Sequence, residues 1–325
     1  MKILDATRAV VACLTLTAAS AALEQAAFGQ TYPTKPIRVL VPYSAGGSPD
    51  LVPRIVAEKV ALTLGQPVVV ENRPGAAGTI AAEAVAVAPA DGYTLLANTS
   101  GHTTTPFLSK TVRFDPIKDF TPIMVSVEAT LYLITNPQQP FRNAAELVDY
   151  AKKNPGKLAY GSSGVGSLYH LMGELVKLSA GIDMVHVPYK GSPQAVADLM
   201  ANQIQLAFGG SNILGQVKSG KVRVLALLDT KRLSPDIPAI AESVPAYRRL
   251  PAWFGILGPA GLPAPIVKRL ESDFLKATLL PEVKPRWDEG GFVVVAANAE
   301  QFAGMLQSDI ELITRIVKAA NIRPE

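Results

Sequence analysis

Cysteine and charge are both scarce in this sequence. Among its 325 residues there is one cysteine, Cys13, and 18% of the residues are charged whereas 48% are apolar. Because Cys13 lies in an N-terminal segment that we expect to be removed, the rest of the chain cannot form disulfides or bind a metal through cysteine. The many apolar residues are typical of a globular protein and exclude a disordered one.

Basic clusters are missing as well. The net charge is only +4, and no run of lysine or arginine forms a basic stripe. Since proteins that bind nucleic acid usually carry a basic patch or stripe, we expect no nucleic-acid partner.

No apolar run is long enough to span a membrane. The N-terminal stretch from Ala9 to Leu23 follows Lys2 and Arg8. At about 15 residues it is shorter than the ~20 that a transmembrane helix needs, which argues against a membrane anchor. The layout is that of a secretory signal peptide, so we predict a cleaved leader over residues 1–29 and a location in the periplasm.

The cleavage site of this leader and the role of Cys13 each allow two interpretations. Cleavage after Gly29 is the first expectation, and cleavage after Ala21 is the second. The letters "VVAC" before and at Cys13 resemble a lipid-attachment signal. Too few apolar residues precede Cys13 for that signal, so we expect no lipid anchor.

Catalytic and cofactor motifs are also absent. The three histidines, His102, His170 and His186, share no metal-ligand spacing. The glycine-rich stretches match neither the P-loop, nor the dinucleotide fingerprint, nor the nucleophile elbow. We therefore predict no catalytic residue, no metal and no cofactor.

What the sequence does contain is an alternation of short apolar runs and helical patterns. "IRVLVPY", "PVVVENRPG" and "YTLLANTSG" indicate strands separated by helices, which is typical of βαβ units and a parallel sheet. "PIMVSVEATLYLITNP" and "AWFGILGPAG" indicate long strands on which the chain crosses between two lobes and returns, followed by two helices. The predicted fold is α/β, with residues 30–130 plus 252–325 in the first lobe, 131–251 in the second, and a cleft between them.

One glycine-rich and hydroxyl-rich turn occurs in each predicted lobe. "VPYSAGGSPD" and "YGSSGVGSLYHL" both join a strand to a helix, and Ser167 has the position of an N-cap. Helix starts present unpaired N–H groups and favour anions. The two turns together predict an anion clamp in the cleft.

The sequence resembles the extracytoplasmic receptors of tripartite tricarboxylate transporters, the Bug family of periplasmic binding proteins. The resemblance covers nearly the whole chain after the leader. It lies in "YPTKPIRVLVPYSAGG", "GQPVVVENRPGAAGTI", "PADGYTLL", "NPGKLAYGSSGVGS", "HLMGEL", "MVHVPYKGS", "KSGKVRVLAL" and "PAWFGILGPAGLPAP". It implies a type II periplasmic binding-protein fold, capture of a small carboxylate and delivery to membrane permease subunits, and we expect a monomer.

The same resemblance implies the ligand-binding residues. They are Tyr43, Ser44, Ala45, Gly46, Gly47, Asp50, Asn98, Thr99, Ser162, Ser163, Gly166, Ser167, His170, Tyr189 and Gly210. From its place at a helix start, Asp50 is expected to hold its own turn, or to bind an amino group of the ligand. For His170 the helix dipole predicts a neutral ring with a role in the cleft.

Some positions depart from the family pattern or have uncertain roles. Pro49 and Pro53 suggest that the first helix begins late, near Asp50. Gly209 and Gly210 replace an acidic side chain of the family. On the return strand, Trp253 is a candidate ligand contact, whereas Trp287 is expected to pack in the core.

Two other functions remain open at this point. An exported enzyme could use Ser44 or Ser163 as a nucleophile near His170, although the sequence shows no recognisable serine-histidine-carboxylate triad. A sensor subunit for a membrane kinase would have the same sequence signature as a transport receptor.

Overall fold

The computed structural model describes residues 32–75 and 78–322. The predicted leader and Cys13 lie outside the described residues. Within them, the strands form two separate sheets with helices on their faces.

The first sheet has six strands. They are β1 (Ile37–Val41), β2 (Val68–Asn72), β3 (Thr94–Thr99), β4 (Phe120–Ala129), β10 (Trp253–Pro259) and β11 (Phe292–Ala297). Their order is β11-β4-β10-β3-β1-β2. Strand β1 is parallel to β2 and β3, as the βαβ pattern predicts, whereas β10 is antiparallel to β3 and β4.

The second sheet has five strands. They are β5 (Tyr132–Thr135), β6 (Ala159–Ser162), β7 (Val185–Pro188), β8 (Leu206–Gly209) and β9 (Arg223–Leu227). Their order is β7-β6-β8-β5-β9, and β6 is parallel to β7 and β8. We call each sheet with its helices a lobe. The chain enters the second lobe after β4 and returns on β10, so the predicted α/β architecture with two crossing strands is confirmed.

The helices cover both faces of each sheet. They are α1 (Ser48–Leu64), α2 (Thr79–Ala86), α3 (Gly101–Leu108), α4 (Ala144–Lys153), α5 (Leu168–Ala180), α6 (Ser192–Met200), α7 (Leu214–Lys218), α8 (Ala264–Thr278), α9 (Lys284–Gly290) and α10 (Ala299–Ala319). Short 3₁₀ helices lie at Ser211–Ile213 and Ile240–Glu242.

Burial on both faces explains the uninterrupted apolar strands. In β1, Val39 packs with α1 on one face, whereas Leu40 packs with α2 on the other. Such strands are typical of sheets covered by helices on both sides. The second sheet likewise separates two apolar clusters.

Helix α10 contacts the cores of both lobes. Its first half inserts Phe302 and Leu306 beside the first sheet, and its second half inserts Ile313 and Ile316 beside the second. The last helix therefore bridges the two lobes, in addition to the crossing strands.

The structure corrects two local expectations. Helix α1 begins at Ser48 rather than near Asp50, because Pro49 falls in the first turn, where a helix needs no N–H donor. The segment after β10 contains three helices and the additional strand β11 rather than two helices. The β-branched run "FVVV" directly after Gly290 and Gly291 is the signal that indicates this strand.

No helix in the described ranges is both long and apolar enough to cross a membrane.

Candidate functional site

Two cavities lie between the lobes. The inner cavity, of ≈ 270 Å³, adjoins the crossing strands. It is lined by Ser48, Thr99, Ser100, Ala129, Thr130, Leu131, Leu168, Tyr169, Gly210, Ser211, Asn212, Ala252, Phe254, Gly290, Gly291 and Phe292. The outer cavity, of ≈ 630 Å³, is lined by Pro42, Tyr43, Ser44, Pro74, Gly75, Gly78, Gly101, Thr104, Thr105, Leu108, Ser109, Val165, Gly166, Ser167 and Leu168.

The turn before α1 is held by a buried carboxylate. Asp50 accepts hydrogen bonds from the Gly46 N–H (2.9 Å), from Arg54 Nε (2.9 Å) and from Asn72 Nδ2 (2.8 Å). Burial alone would raise the pKa of Asp50, but these hydrogen bonds and the Arg54 charge bring it below its ordinary value. The carboxylate therefore stays charged and fixes its own turn, as expected, and leaves the Ser48 end of α1 facing the inner cavity.

The turn before α5 is organised by an N-cap and a histidine. The predicted cap is confirmed, since Ser167 Oγ accepts the His170 N–H at 3.3 Å. His170 Nδ1 in turn accepts the Gly166 N–H at 2.9 Å, and its ring stacks on His186 with centroids 3.9 Å apart. Burial lowers the pKa of His170, and it lowers that of His186 to about 4. Because Nδ1 accepts an N–H, the His170 ring carries no proton at that atom, and burial favours its neutral form. His170 therefore supports the turn through its hydrogen bond with Gly166.

A hydrogen-bond network fixes the turn before α3. The Tyr43 hydroxyl lies 3.1 Å from Asn98 Oδ1 and 2.7 Å from Thr99 Oγ1. Asn98 Nδ2 lies 3.4 Å from His102 Nδ1, and His102 Nε2 donates to the Pro116 carbonyl at 2.9 Å. Burial lowers the pKa of His102 to about 4, so this ring is a neutral structural element.

The predicted site residues separate into groups in the structure. Tyr43, Ser44, Gly166 and Ser167 line the outer cavity, and Thr99 and Gly210 line the inner one. Asp50, Asn98, Ser162 and His170 are buried and bonded within the protein. Ala45, Gly46, Gly47 and Ser163 line neither cavity, and the Tyr189 hydroxyl donates to Asp198 at 2.7 Å.

The two tryptophans both pack in the core. Trp253 is fully buried and donates its indole N–H to Asp309 Oδ2 at 2.7 Å, so the prediction that it contacts ligand is wrong. Trp287 is buried and donates to the Thr278 carbonyl, which confirms its packing role.

Several inner-cavity residues were not among the sequence predictions. The main ones are Ser48, Thr130, Tyr169, Asn212, Phe254 and Phe292. Ser48 and Tyr169 lie within the two turn motifs, "VPYSAGGSPD" and "YGSSGVGSLYHL", but were not singled out there. Thr130, Phe254 and Phe292 come from distant segments and have no local signature.

The inner cavity offers hydrogen-bond donors without charge. Within the described residues, the hydroxyls of Ser48, Ser100, Thr130 and Tyr169 have no partner, although Ser100 is only 3% exposed. The N–H groups of Leu168 and Tyr169 begin α5 and also have no backbone partner there. Every lining side chain is uncharged. Such a site suits an anion that accepts several neutral hydrogen bonds.

Among residues 32–75 and 78–322, no group of three or more His, Cys, Asp and Glu side chains is placed to hold a metal ion. The closest serine-histidine pair is Ser162 Oγ and His186 Nε2, at 2.7 Å, but Ser162 is completely buried. A substrate could not reach that hydroxyl without a local opening.

Residues 52–322 match the protein family described as "Tripartite tricarboxylate transporter family receptor". Among solved structures, the periplasmic binding protein BugD is 32% identical, with a TM-score of 0.72 over 90% of this chain and 100% of that chain.

Two similar structures were solved with carboxylates. A protein from R. palustris, determined with adipate, is 32% identical, with a TM-score of 0.75 over 90% of this chain and 100% of that chain. The protein MatC from Rhodopseudomonas palustris, with bound malate, is 29% identical, with a TM-score of 0.71 over 88% of this chain and 100% of that chain.

Proposed function

This chain belongs to the tripartite tricarboxylate transporter receptor family, and on that basis we propose that it binds a small carboxylate in the inner cavity and presents it to membrane permease subunits. Receptors of this family are periplasmic solute-binding proteins. The proposal includes removal of residues 1–29 on export.

One observation supports the inner cavity as the binding site. The first turns of α1 and α5, which belong to different lobes, line the same space together with the nearly buried and unpartnered Ser100 hydroxyl. Helix starts stabilise an anion, and hydrogen bonds from neutral donors compensate for the water that a buried carboxylate loses. A ligand held by both lobes also favours the closed arrangement of the protein.

The alternative hypothesis, an exported enzyme, has little support. His170 Nδ1 accepts the Gly166 N–H, so its neutral ring carries its proton on Nε2 and has no free lone pair with which to take a proton from a serine. The Ser162–His186 pair is buried, and burial lowers the pKa of His186 to about 4, which makes it a weak base near neutral pH. We therefore propose a receptor that releases its ligand unchanged.

A thermal-shift screen tests the proposal. Protein recovered from the periplasm of cells that express the full chain is stripped of bound ligand by unfolding and refolding, and its intact mass reports whether it begins at Gln30. Mono-, di- and tricarboxylates are compared with sugars and amines. At roughly 100 times its Kd, a ligand adds about 2.7 kcal/mol to the free energy of unfolding, which is a Tm shift of about 5 to 10 °C.

A matched pair of variants locates the site. Ser100→Ala removes an inner-cavity hydroxyl and should weaken carboxylate binding by about 1 kcal/mol, or roughly fivefold. Ser109→Ala alters the outer cavity, where Ser109 Oγ lies 2.9 Å from Thr111 Oγ1, and should leave the affinity unchanged. A screen in which only sugars or amines raise Tm would disprove the carboxylate assignment.

A further inference from the structure

A side-chain hydrogen bond joins the two lobes away from the crossing strands. Ser211, which follows β8 in the second lobe, donates its hydroxyl to the Gly290 carbonyl at the end of α9 in the first lobe, at 2.5 Å. In the part of the chain that the structure describes, the other side-chain hydrogen bond between the lobes is that of Arg249 with Glu128, beside the crossing strands. Ser211 and Gly290 both line the inner cavity, so this contact lies in the cavity wall.

The two segments fit together so closely that position 291 requires a glycine. Gly291 has φ +65°, and a Cβ atom there would lie 2.2 Å from Cβ and 2.7 Å from Oγ of Ser211. Non-bonded carbon atoms pack at about 3.5 to 4.0 Å. Any other residue at this position would therefore force Ser211 and the turn after α9 apart.

Each side of this contact is fixed in its own lobe. In the first lobe, the Gly291 carbonyl accepts the Thr130 N–H at 3.2 Å, and the buried Trp287 anchors α9. In the second lobe, Ile213 is 1% exposed and its N–H donates to the Gly210 carbonyl at 3.2 Å. A change in the position of one lobe relative to the other therefore breaks the hydrogen bond between them.

This hydrogen bond can break and form again at little cost. The Gly290 carbonyl is the last of α9, where carbonyls have no partner within the helix. When the lobes separate, water can bond to this carbonyl and to the Ser211 hydroxyl, so the bond changes an equilibrium by only roughly fivefold. The pair of Arg249 and Glu128 differs, because breaking it would leave the nearly buried Glu128 charge without a partner.

We propose that Ser211 is a positioning residue of the binding site, whose hydrogen bond to Gly290 holds the two lobes in the closed arrangement around the inner cavity. We call this contact the latch. Lobes that are joined by crossing strands move relative to each other by default. The latch favours the closed arrangement before any ligand binds, so a ligand that binds only this arrangement gains affinity in proportion. This role goes beyond the proposed function, because the latch acts on the lobes whatever ligand they enclose.

Small-angle X-ray scattering without ligand tests the latch. The protein recovered from the periplasm is stripped of bound ligand by unfolding and refolding, and its radius of gyration is compared with that of Ser211→Ala. We expect the variant to have the larger radius of gyration, because its closed arrangement is roughly fivefold less favoured. An unchanged radius of gyration would overturn the proposed role of Ser211.

Ser219→Ala is the matched control. Ser219 is exposed, and its hydroxyl donates to the Gln216 carbonyl of the same lobe at 3.1 Å. This variant loses the same kind of hydrogen bond without affecting the contact between the lobes, so it should keep the wild-type radius of gyration. Equal expansion of both variants would show that the effect is not due to the latch.

A second pair of variants tests the close fit at Gly291. Gly291→Ala and Gly65→Ala both place alanine at a left-handed helix C-cap, but a Cβ atom at Gly65 would contact nothing within 4 Å. Gly291→Ala should lower Tm by roughly 2 to 4 °C more than Gly65→Ala. In a Ser211→Gly background this excess should disappear, because the atoms that the new Cβ would meet are absent. An excess that persists would mean that Gly291 acts within its own lobe.

The scattering measurement also separates the latch from the proposed function. If no carboxylate raises Tm but Ser211→Ala still expands the protein, the carboxylate receptor is wrong and the latch is supported. If carboxylates raise Tm but Ser211→Ala scatters like the wild type, the receptor stands and the latch is wrong.

Discussion

Asp309 shows how a single buried carboxyl links stability to pH. It lies on α10, is 6% exposed and accepts the Trp253 indole N–H. Its pKa is raised to about 7, first of all by burial and further by the Glu128 charge. The Trp253 hydrogen bond and the Arg249 charge act in the opposite direction and limit the rise. Between about pH 4 and pH 7 the folded protein therefore holds a proton that the unfolded chain has released, so this group's contribution to stability falls as the pH rises.

The buried histidines have the opposite effect. The pKa values of His102 and His186 are lowered to about 4 in the folded protein, by burial first of all. An unfolded histidine takes up its proton near pH 6.5. The folded state thus loses stability as the pH falls from about 6.5 to about 4.

Asp309→Asn should isolate the carboxyl contribution. Asparagine keeps an oxygen that accepts the Trp253 N–H but cannot ionise. We expect the Tm of the variant relative to wild type to be higher at pH 8 than at pH 5, measured by calorimetry. Asp288→Asn, at an exposed position, is the control. A difference in Tm that is the same at both pH values would rule out the raised pKa.

At the scale of the element, the start of α5 is one place where the two lobes touch. Gly166 has φ +75°, and a Cβ atom there would lie 2.9 Å from Cδ1 of Leu108, at the end of α3 in the first lobe. Any side chain at this position would strain the backbone and also crowd Leu108 across the outer cavity.

Gly166→Ala and Gly261→Ala form a matched pair that separates these two effects. Gly261 has φ +79°, but a Cβ atom there would contact nothing within 4 Å. Both variants should lose about 1 to 2 kcal/mol of stability from the left-handed backbone. Only Gly166→Ala should also weaken binding of the carboxylate that gives the largest thermal shift, by on the order of tenfold, or about 1.4 kcal/mol. Equal affinities in the two variants would mean that the contact with Leu108 does not matter for binding.

At the scale of the whole molecule, an ionic cluster joins the lobes beside the crossing strands. Arg249, just before β10, pairs with Glu128 at the end of β4 and with Asp229 after β9, the latter at 2.9 Å. Glu128 is 7% exposed. Because a buried charge without its partner is strongly destabilising, Arg249 stabilises the connection between the lobes.

Replacing Arg249 tests whether it stabilises the connection between the lobes. Arg249→Ala leaves Glu128 and Asp229 close together without a cation, and we expect a loss of about 3 kcal/mol, the lower end for a broken buried pair because Arg249 is partly exposed. That corresponds to a fall in Tm of about 6 to 12 °C.

The adjacent Arg248 is the natural control for this variant. It is exposed and donates only to backbone carbonyls. Arg248→Ala should change Tm by little. A similar fall in both variants would show that the effect is not due to the ionic cluster.

The sequence by itself determined the features that depend on neighbouring residues. The alternation of apolar runs and helical patterns predicted the α/β fold and the two crossing strands, because hydrophobic periodicity reports which face of an element is buried. The Ser167 cap and the role of Asp50 in its own turn were predictable for the same reason, since the N–H groups that they accept in these turns, those of His170 and Gly46, lie within four residues.

The tertiary structure alone decided which side chains face the ligand space. Trp253 and Phe254 are neighbours on β10, so they point to opposite faces, and the sequence does not say which. The packing around the sheet sets the outcome: Trp253 packs against Asp309 and Phe254 lines the inner cavity. Thr130, Tyr169 and Phe292 reach the same cavity from separate parts of the chain. A cavity is formed by residues that are close in space and distant in sequence, and local sequence patterns do not report which distant residues are close in space.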